Sequence, residues 1–232
     1  MQVEIWSDVS CPWCFIGKRR FETALEGFAH KDDVEVTWKS YQLDPGLPDH
    51  YAGTELEYLC QVKGMSEQQV SQMFDHVADT AAAEGLTYDF GSLKVANSFD
   101  AHRLLHLAHS HGRGDEVKEA LLSAHFEHGQ DTGDTDVLGR IGVSTGLEES
   151  EVRATLGSDR FAAEVRQDIA EARAIGITGV PFFVIDRKYG ISGAQPPEMF
   201  GNALDQAWQE SHPLAMVAAG DTGPTCGPDG CS

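Results

Sequence analysis

An α/β fold carrying a large helical insertion is predicted by three features of this 232-residue chain: a strand–helix–strand opening, a long helical block, and a closing strand–strand–helix. The opening starts at Val3 to Ser7, an apolar strand that ends in the turn "DVSC". Pro12 to about Phe28 follows as a helix, with proline in its first turn, where a missing N–H leaves no bond unmade. In "DVEVTWKSY" (residues 33–41) Val34, Val36 and Trp38 alternate with polar neighbours, the period of a half-buried strand.

From Asp44 to about residue 165 strand signals are scarce. The segments "ELEYLCQVKG", "SEQQVSQMFDHVADTAAAEG", "SFDAHRLLHLAHSHG", "DEVKEALLSAHFEHG", "DTDVLGRIGVSTG" and "SDRFAAEVRQDIAEARAIG" each carry helical apolar spacing, and most end at a glycine suited to a C-terminal cap. "GVPFFVID" and "YGISG" then read as two strands joined by a turn at Arg187 and Lys188, before a final helix of about Pro197 to Glu210. These boundaries give a discontinuous domain of residues 1–43 and 166–211, a helical insertion of 44–165, and a tail of 212–232. The tail is rich in Gly, Pro and Ala without a sustained period, which predicts mobility.

Composition narrows the function. The 37 acidic against 17 basic residues leave a net charge of −20, which repels phosphate backbones and anionic bilayers and argues against a nucleic-acid or membrane partner. No apolar run approaches the roughly 18–20 residues needed to span a bilayer. The start "MQVEIWSDV" shows no basic n-region or apolar h-region, so a cytoplasmic protein is expected. Five cysteines are too few for a disulfide scaffold, and in a reducing compartment a close pair is more often catalytic or metal-binding than structural.

That pair is Cys11 and Cys14 in "CPWC", at the strand-to-helix junction. Disulfide exchange proceeds by thiolate attack, so it needs an accessible cysteine of lowered pKa. The helix N-terminus contributes at most about 2 kcal/mol, or roughly 1.5 pKa units, enough to bring a thiol from about 8.5 to near 7. Separated by Pro12 and Trp13 within one turn, the two sulfurs can close a disulfide, and Cys14 can expel a partner bound to Cys11. Half a zinc site and a structural staple are the alternatives, but no second CxxC or HxxxH at zinc spacing accompanies the motif, so no metal is expected.

Other residues have plainer readings. Cys60 lies on an amphipathic helix as an ordinary buried thiol, and Lys18 to Arg20 form a basic cluster read as a solvated face. His102, His106 and His109 share one helical face at i, i+4 and i+7, read as packing rather than metal ligation. Cys226 and Cys231 flank "GPDG", a turn that lets them pair with little strain. So small a loop adds only about 2 kcal/mol, which argues against a staple. About 15 residues of flexible chain reach roughly 20 Å, which makes the pair a candidate second dithiol for Cys11.

The layout is that of a thioredoxin-like fold with a large helical insertion, and the resemblance extends to particular stretches. "DVSCPWCFIGKRRFE", "NSFDAHRLLHLA", "HGQDTGD" and "GITGVPFFVIDRKYGISGAQPPEMF" together resemble DsbA-family oxidoreductases of the FrnE type, related to 2-hydroxychromene-2-carboxylate isomerases and kappa-class glutathione transferases. The resemblance spans roughly residues 1 to 211. It implies Cys11 as the exposed nucleophile, Cys14 as the resolving thiol, Pro181 as a cis-proline facing them, and Val180 beside the substrate. It also places Asn97 and His102 at the border of the substrate cleft, with Pro12 and Trp13. Many thioredoxin-like proteins have a buried acid six residues before the first cysteine; here that position is Ile5, leaving Glu4 and Asp8 as nearby acids.

The isomerase and transferase relatives usually have serine where Cys11 stands. The expectation is therefore a thiol–disulfide oxidoreductase, with disulfide isomerisation in its range, acting on disulfide-containing or thiol proteins. It needs no cofactor, and glutathione is a candidate redox partner. Two rivals are a glutathione-dependent small-molecule isomerase or tailoring enzyme, and a metal-binding or holdase-like interaction protein.

Overall fold

In the computed structural model residues 1–48, 50–213, 226–227 and 230–231 are described. The chain opens with β1 (Gln2–Ser7), α1 (Pro12–Gly27) and β2 (Glu35–Ser40). Next come β3 (His50–Thr54), α2 (Glu55–Gln61), α3 (Glu67–Ala83), β4 (Lys94–Ala96), α4 (Phe99–Ser110) and α5 (Gly114–Phe126). Three more helices, α6 (Thr135–Ser144), α7 (Glu149–Leu156) and α8 (Ala162–Ala174), lead into the β5 (Phe182–Ile185) and β6 (Tyr189–Ser192) hairpin and α9 (Pro197–Ser211).

Local chemistry starts and stops these helices. Thr54 and Glu57 form a capping box on α2, and Ser66 and Gln69 form another on α3. At the end of α3, Gly85 takes φ +78° while Gly85 N–H donates to the Ala82 carbonyl and Leu86 N–H to that of Ala81. That paired closure satisfies two terminal carbonyls and needs the left-handed conformation glycine adopts freely. The hairpin turn has positive φ at Asp186 and Arg187, which suits the twist of the flanking strands.

The main sheet has the order β2-β1-β5-β6, with β1 parallel to β2 and antiparallel to β5. Strand alternation divides its faces. Val3, Ile5 and Phe183 join the core with α1 and α9, where Phe183 meets Phe200 at 4.5 Å between ring centroids and Phe21 at 5.5 Å. On the other face Trp6 and Val184 pack with Ala172 and Ile177, and Trp6 Nε1 donates to the Asp168 carbonyl at 3.0 Å. Leu104 and Leu107 of α4 and Val117 and Leu121 of α5 belong to the same apolar cluster as Val3 and Ile5, so the helical stretch and the sheet share a core.

The structure departs from the sequence reading in three places. β3 and β4 pair antiparallel within the stretch read as wholly helical; "KVA" is too short to display a period of two. α7 buries only Val152 and Thr155, a stripe too thin to register as amphipathic. In the tail, β7 (Cys226–Gly227) and β8 (Gly230–Cys231) are antiparallel, with Cys226 opposite Cys231. The rest of the expected mobile tail from residue 214 on lies outside the described residues. Among the described residues no helix is long and apolar enough to cross a membrane.

Candidate active site

The site begins where β1 ends. Cys11 N–H donates to the Asp8 carbonyl at 3.4 Å, which turns the chain and makes Cys11 the N-cap of α1. Pro12 follows as the first helical residue, and no carboxylate occupies the first turn to offset the positive end of the helix. The Val180–Pro181 peptide is cis, and Cys11 Sγ donates to the Val180 carbonyl at 3.5 Å. The expected juxtaposition of Cys11, Cys14, Val180 and Pro181 is therefore present. Gly17 makes it possible, because a Cβ there would lie 2.9 Å from Pro181 Cγ.

Cys11 is less open than the expected exposed nucleophile. It is 4 % exposed and Cys14 is fully buried, since helices absent from the local motif wall the sulfur in. With Pro12, Trp13 and Val180, Cys11 lines a cavity of about 390 Å³, walled by Phe74 and Val77 of α3 and by Leu93 and Phe126. Its lining is mainly apolar, with Glu55 and His125 among the exceptions. Burial raises the Glu55 carboxyl to about 7, with Lys63 acting against it. Burial likewise lowers His125 to about 4. A second open cleft of about 740 Å³ between α6 and α7 has no cysteine or histidine in its described lining.

The electrostatics of the pair also differ from the helix-dipole expectation. The hydrogen bond to Cys14 and then burial push the Cys11 thiol well above its ordinary value. Burial opposes ionisation of Cys14 too, but the Cys11 S–H bond and the Lys118 charge outweigh it and bring that thiol down. The two thiols are thereby driven apart in acidity, and Lys118 favours the negative charge on Cys14 when one of them ionises.

Lys118 and His125 were not singled out in the sequence. In "DEVKEALLSAHF" they sit one and three positions from core residues Val117 and Leu122, and polar groups on a buried helical stripe were the available signal. Leu122, between them, packs with Phe15 and Ile16 of α1. Lys118 is 0 % exposed, its Nζ has no hydrogen-bond partner, and it sits 5.5 Å from the Trp38 ring.

The two candidate acids separate. Glu4 faces the opposite side of the sheet and pairs with Arg187. Asp8 lies buried at the turn before Cys11, where its Oδ2 accepts Leu43 N–H at 2.7 Å and its Oδ1 lies 3.4 Å from His102 Nε2. Burial raises its pKa, yet the His102 hydrogen bond and charge, with Leu43 N–H, hold it at about 2.

Asn97 and His102 do not line the cavity, contrary to expectation. Asn97 Nδ2 donates to the Leu47 carbonyl at 2.7 Å, and its Oδ1 accepts from Phe99 N–H and Gln42 Nε2, so it fastens the loop after β2. His102 supports Asp8 from behind. His106 instead approaches Asp168 at 3.1 Å and Ser40 at 3.2 Å. Trp13 does reach the cavity, and Pro12 O accepts the Tyr88 hydroxyl at 2.7 Å.

Lys18, read as solvated, is 2 % exposed and bridges to Glu22, to Asp115 at 3.2 Å and to Glu119 at 3.0 Å. Arg19 pairs with Glu119, and Arg20 with Glu84 at 2.6 Å. The basic cluster thus fastens α1 to the helical stretch. Cys60, expected to be buried, is of intermediate exposure. Cys226 and Cys231 are placed opposite each other by their backbones alone.

A family model described as a DsbA-like thioredoxin domain matches residues 2–205. The crystal structure of a probable DsbA oxidoreductase from Streptomyces coelicolor is 46% identical, covers 100% of this chain and 98% of its own, and superposes with a TM-score of 0.85. The Bacillus subtilis protein YwbO is 28% identical over 88% of this chain and 96% of its own length. The cytosolic disulfide reductase DsbM from Pseudomonas aeruginosa shares the fold at 16% identity, covering 90% of this chain and 100% of its own, with a TM-score of 0.63.

Proposed function

This chain belongs to the family of DsbA-like thioredoxin domains, and from that premise we propose that it exchanges disulfides with substrate thiols through Cys11 and Cys14. In this general sense it is a thiol–disulfide oxidoreductase with a thioredoxin-like fold. The observation that carries the detailed reading is the meeting of three features: a sulfur at a helix N-cap in a cavity wall, a second cysteine one turn behind it, and the Val180 carbonyl 3.5 Å away.

In the reducing direction Cys11 loses its proton and reacts as the thiolate, with Cys14 protonated behind it. That thiolate attacks a substrate disulfide; a Cys11–substrate bond forms, and the other substrate sulfur departs as a thiolate and takes a proton. Cys14 then gives up its proton and attacks Cys11 Sγ, closing the Cys11–Cys14 disulfide and releasing the second substrate thiolate, which takes up a proton in turn. Two electrons pass to the substrate, and the reverse sequence oxidises a dithiol. Isomerisation follows if the freed substrate thiolate attacks elsewhere before Cys14 closes. The Val180 backbone beside the sulfur offers an edge for an extended peptide, and the cavity takes an apolar group next to the reacting cysteine.

Substrates of this kind are disulfide-containing or thiol proteins in the cytoplasm, with glutathione as redox partner. The opposed Cys226 and Cys231 serve in this reading as a second dithiol that relays electrons to or from Cys11–Cys14. Replacing both by serine then slows reoxidation or reduction of the first pair; unchanged rates remove the relay from the scheme. The enclosed apolar cavity favours a second reading, glutathione-dependent isomerisation of a small molecule, which predicts turnover that survives Cys14→Ser. Trapping decides between them: Cys14→Ser accumulates mixed disulfides on Cys11 that mass spectrometry identifies. Absence of any adduct on Cys11, with activity intact in Cys11→Ser, refutes both the exchange and the nucleophile.

A further inference from the structure

The titratable groups that line the cavity beside Cys11 fall into two sets. Asp44, Tyr58 and Lys63 are committed to one another: the Tyr58 hydroxyl and the Lys63 ammonium both donate to Asp44, the latter at 2.7 Å. His125 and Glu55 are not. His125 of α5 is 3 % exposed, and neither of its ring nitrogens has a hydrogen-bond partner among the described residues. Its Nδ1 is sealed from solvent, so a proton placed there would be a buried orphan. The neutral ring therefore carries its proton on Nε2, the nitrogen left to face the cavity. Glu55 of α2 lines the same cavity, and its carboxyl makes no hydrogen bond among the described residues.

The rest of the wall is apolar and rich in rings. Trp13, Phe74, Phe90 and Phe126 all contribute, and Phe74 stacks on Phe90 at 4.3 Å between centroids. The volume of about 390 Å³ lies at the small end of the roughly 300–1,000 Å³ of small-ligand sites. A free donor and a free acceptor in an aromatic wall are the complement of a hydroxyl on an aromatic ring.

Building on the exchange cycle above, we propose that this cavity is a subsite for a tyrosine side chain two residues from the reacting cysteine of a substrate peptide, with His125 donating to the phenol oxygen and Glu55 accepting from its hydroxyl. The spacing follows from the backbone. Val180 and Gly179 also line the cavity, so a peptide laid along the Val180 edge runs past its mouth. In an extended chain, residues two apart share a face and stand roughly 7 Å from each other. The side chain two positions from the cysteine that meets Cys11 is thereby presented to the same wall. Phenylalanine fills the same space but leaves His125 and Glu55 unpaired, and a charged group would lose its hydration to the apolar lining. Burial favours the same match, since it holds His125 uncharged, at about 4, and Glu55 up at about 7.

The test is reduction, by the full reduced chain, of paired peptide disulfides that differ only in tyrosine or phenylalanine two residues before or after the cysteine. The ring is remote from the sulfur, so both members of a pair have the same leaving group. The second-order rate constant favours tyrosine about tenfold in the wild-type chain at one of the two positions. In His125→Phe, which keeps a ring in the wall but no N–H, that ratio falls to about one, and in Glu55→Leu it falls to about three. His125→Leu gives the same readout should the phenylalanine variant misfold, with circular dichroism monitoring the fold.

Equal rates for tyrosine and phenylalanine at both positions overturn the proposal. So does a ratio that persists in the His125 variants while both peptides slow alike, the result expected if His125 only supports the wall. A preference confined to bis(4-hydroxyphenethyl) over diphenethyl disulfide, with none in the peptides, makes the guest a small molecule and overturns the peptide subsite. Absence of exchange with every disulfide in the wild-type chain instead refutes the exchange reading itself.

Discussion

Replacing Gly17 by alanine inserts one methyl group between α1 and the proline that faces the thiols. The new Cβ would lie 2.9 Å from Pro181 Cγ and 3.5 Å from both Ala194 Cβ and Phe183 Cζ. Carbon atoms pack at about 3.5–4.0 Å, so the Pro181 contact must open by roughly 0.6 Å, and a proline ring cannot swing aside as a long side chain does. Overpacking of this kind costs about 1–3 kcal/mol, while alanine regains about 1 kcal/mol of helix propensity. The net loss is about 0–2 kcal/mol, or a fall of up to roughly 8 °C in Tm for a chain of this size. Activity responds more strongly. A 1 Å misplacement at a reacting centre costs about a hundredfold, so a shift of about 0.6 Å between Cys11 and Val180 slows exchange roughly tenfold. Differential scanning calorimetry reads the first quantity and stopped-flow disulfide reduction the second. If the alanine variant reacts at the wild-type rate, the close approach of Gly17 to Pro181 does not set the site geometry and the reasoning fails.

Two further outcomes follow from burial. His125 is held neutral with a folded pKa of about 4 against 6.5 for the exposed group. The unfolded chain therefore takes up a proton first as pH falls; stability is full above about 6.5 and drops progressively toward pH 4, by about 3 kcal/mol in all. Urea midpoints at pH 7.5 and 4.5 should diverge less in His125→Leu than in wild type, and an equal acid loss in both assigns the effect to other groups. Phe200→Ala removes a ring packed at 4.5 Å on Phe183 and 5.7 Å on Phe21. It should cost about 3–5 kcal/mol in urea unfolding; a loss below about 1 kcal/mol would mean that α9 closes over the gap or is not part of the cooperative core.

How much of this was legible depends on how local the signal is. The start of α1 was readable because Pro12 marks it within one turn, and the β5–β6 hairpin because alternation and turn chemistry lie within a dozen residues. Asp8 and Glu4 were equal candidates in the sequence; Glu4 lies within β1 and pairs with Arg187, whereas the chain has left the strand by Asp8 and the turn before α1 holds that carboxylate beside the thiols. Lys18 was misread because two of its three carboxylates, Asp115 and Glu119, lie some 100 residues away. Asn97 was assigned to a cleft from the company it keeps, whereas its bonds to Gln42 and Leu47 arise only once the loop after β2 folds back on it. Lys118 was hidden for the same reason: a cation on an apolar helical stripe is visible, but what it faces is set by the packing of α5 on α1.

The cavity beside Cys11 draws its parts from two sources. The sulfur, Val180 and Pro181 come from the ends of β1 and β5, whereas much of the enclosing wall is supplied by α2, α3 and α5. Selection of a guest by α2 and α3 is thereby written in a different stretch of the chain from the electron transfer performed on it, whereas α5 serves both, since it also carries Lys118. Exchanging the residues that α2 and α3 contribute would retune which molecules are admitted and leave the sulfur relay itself as it stands.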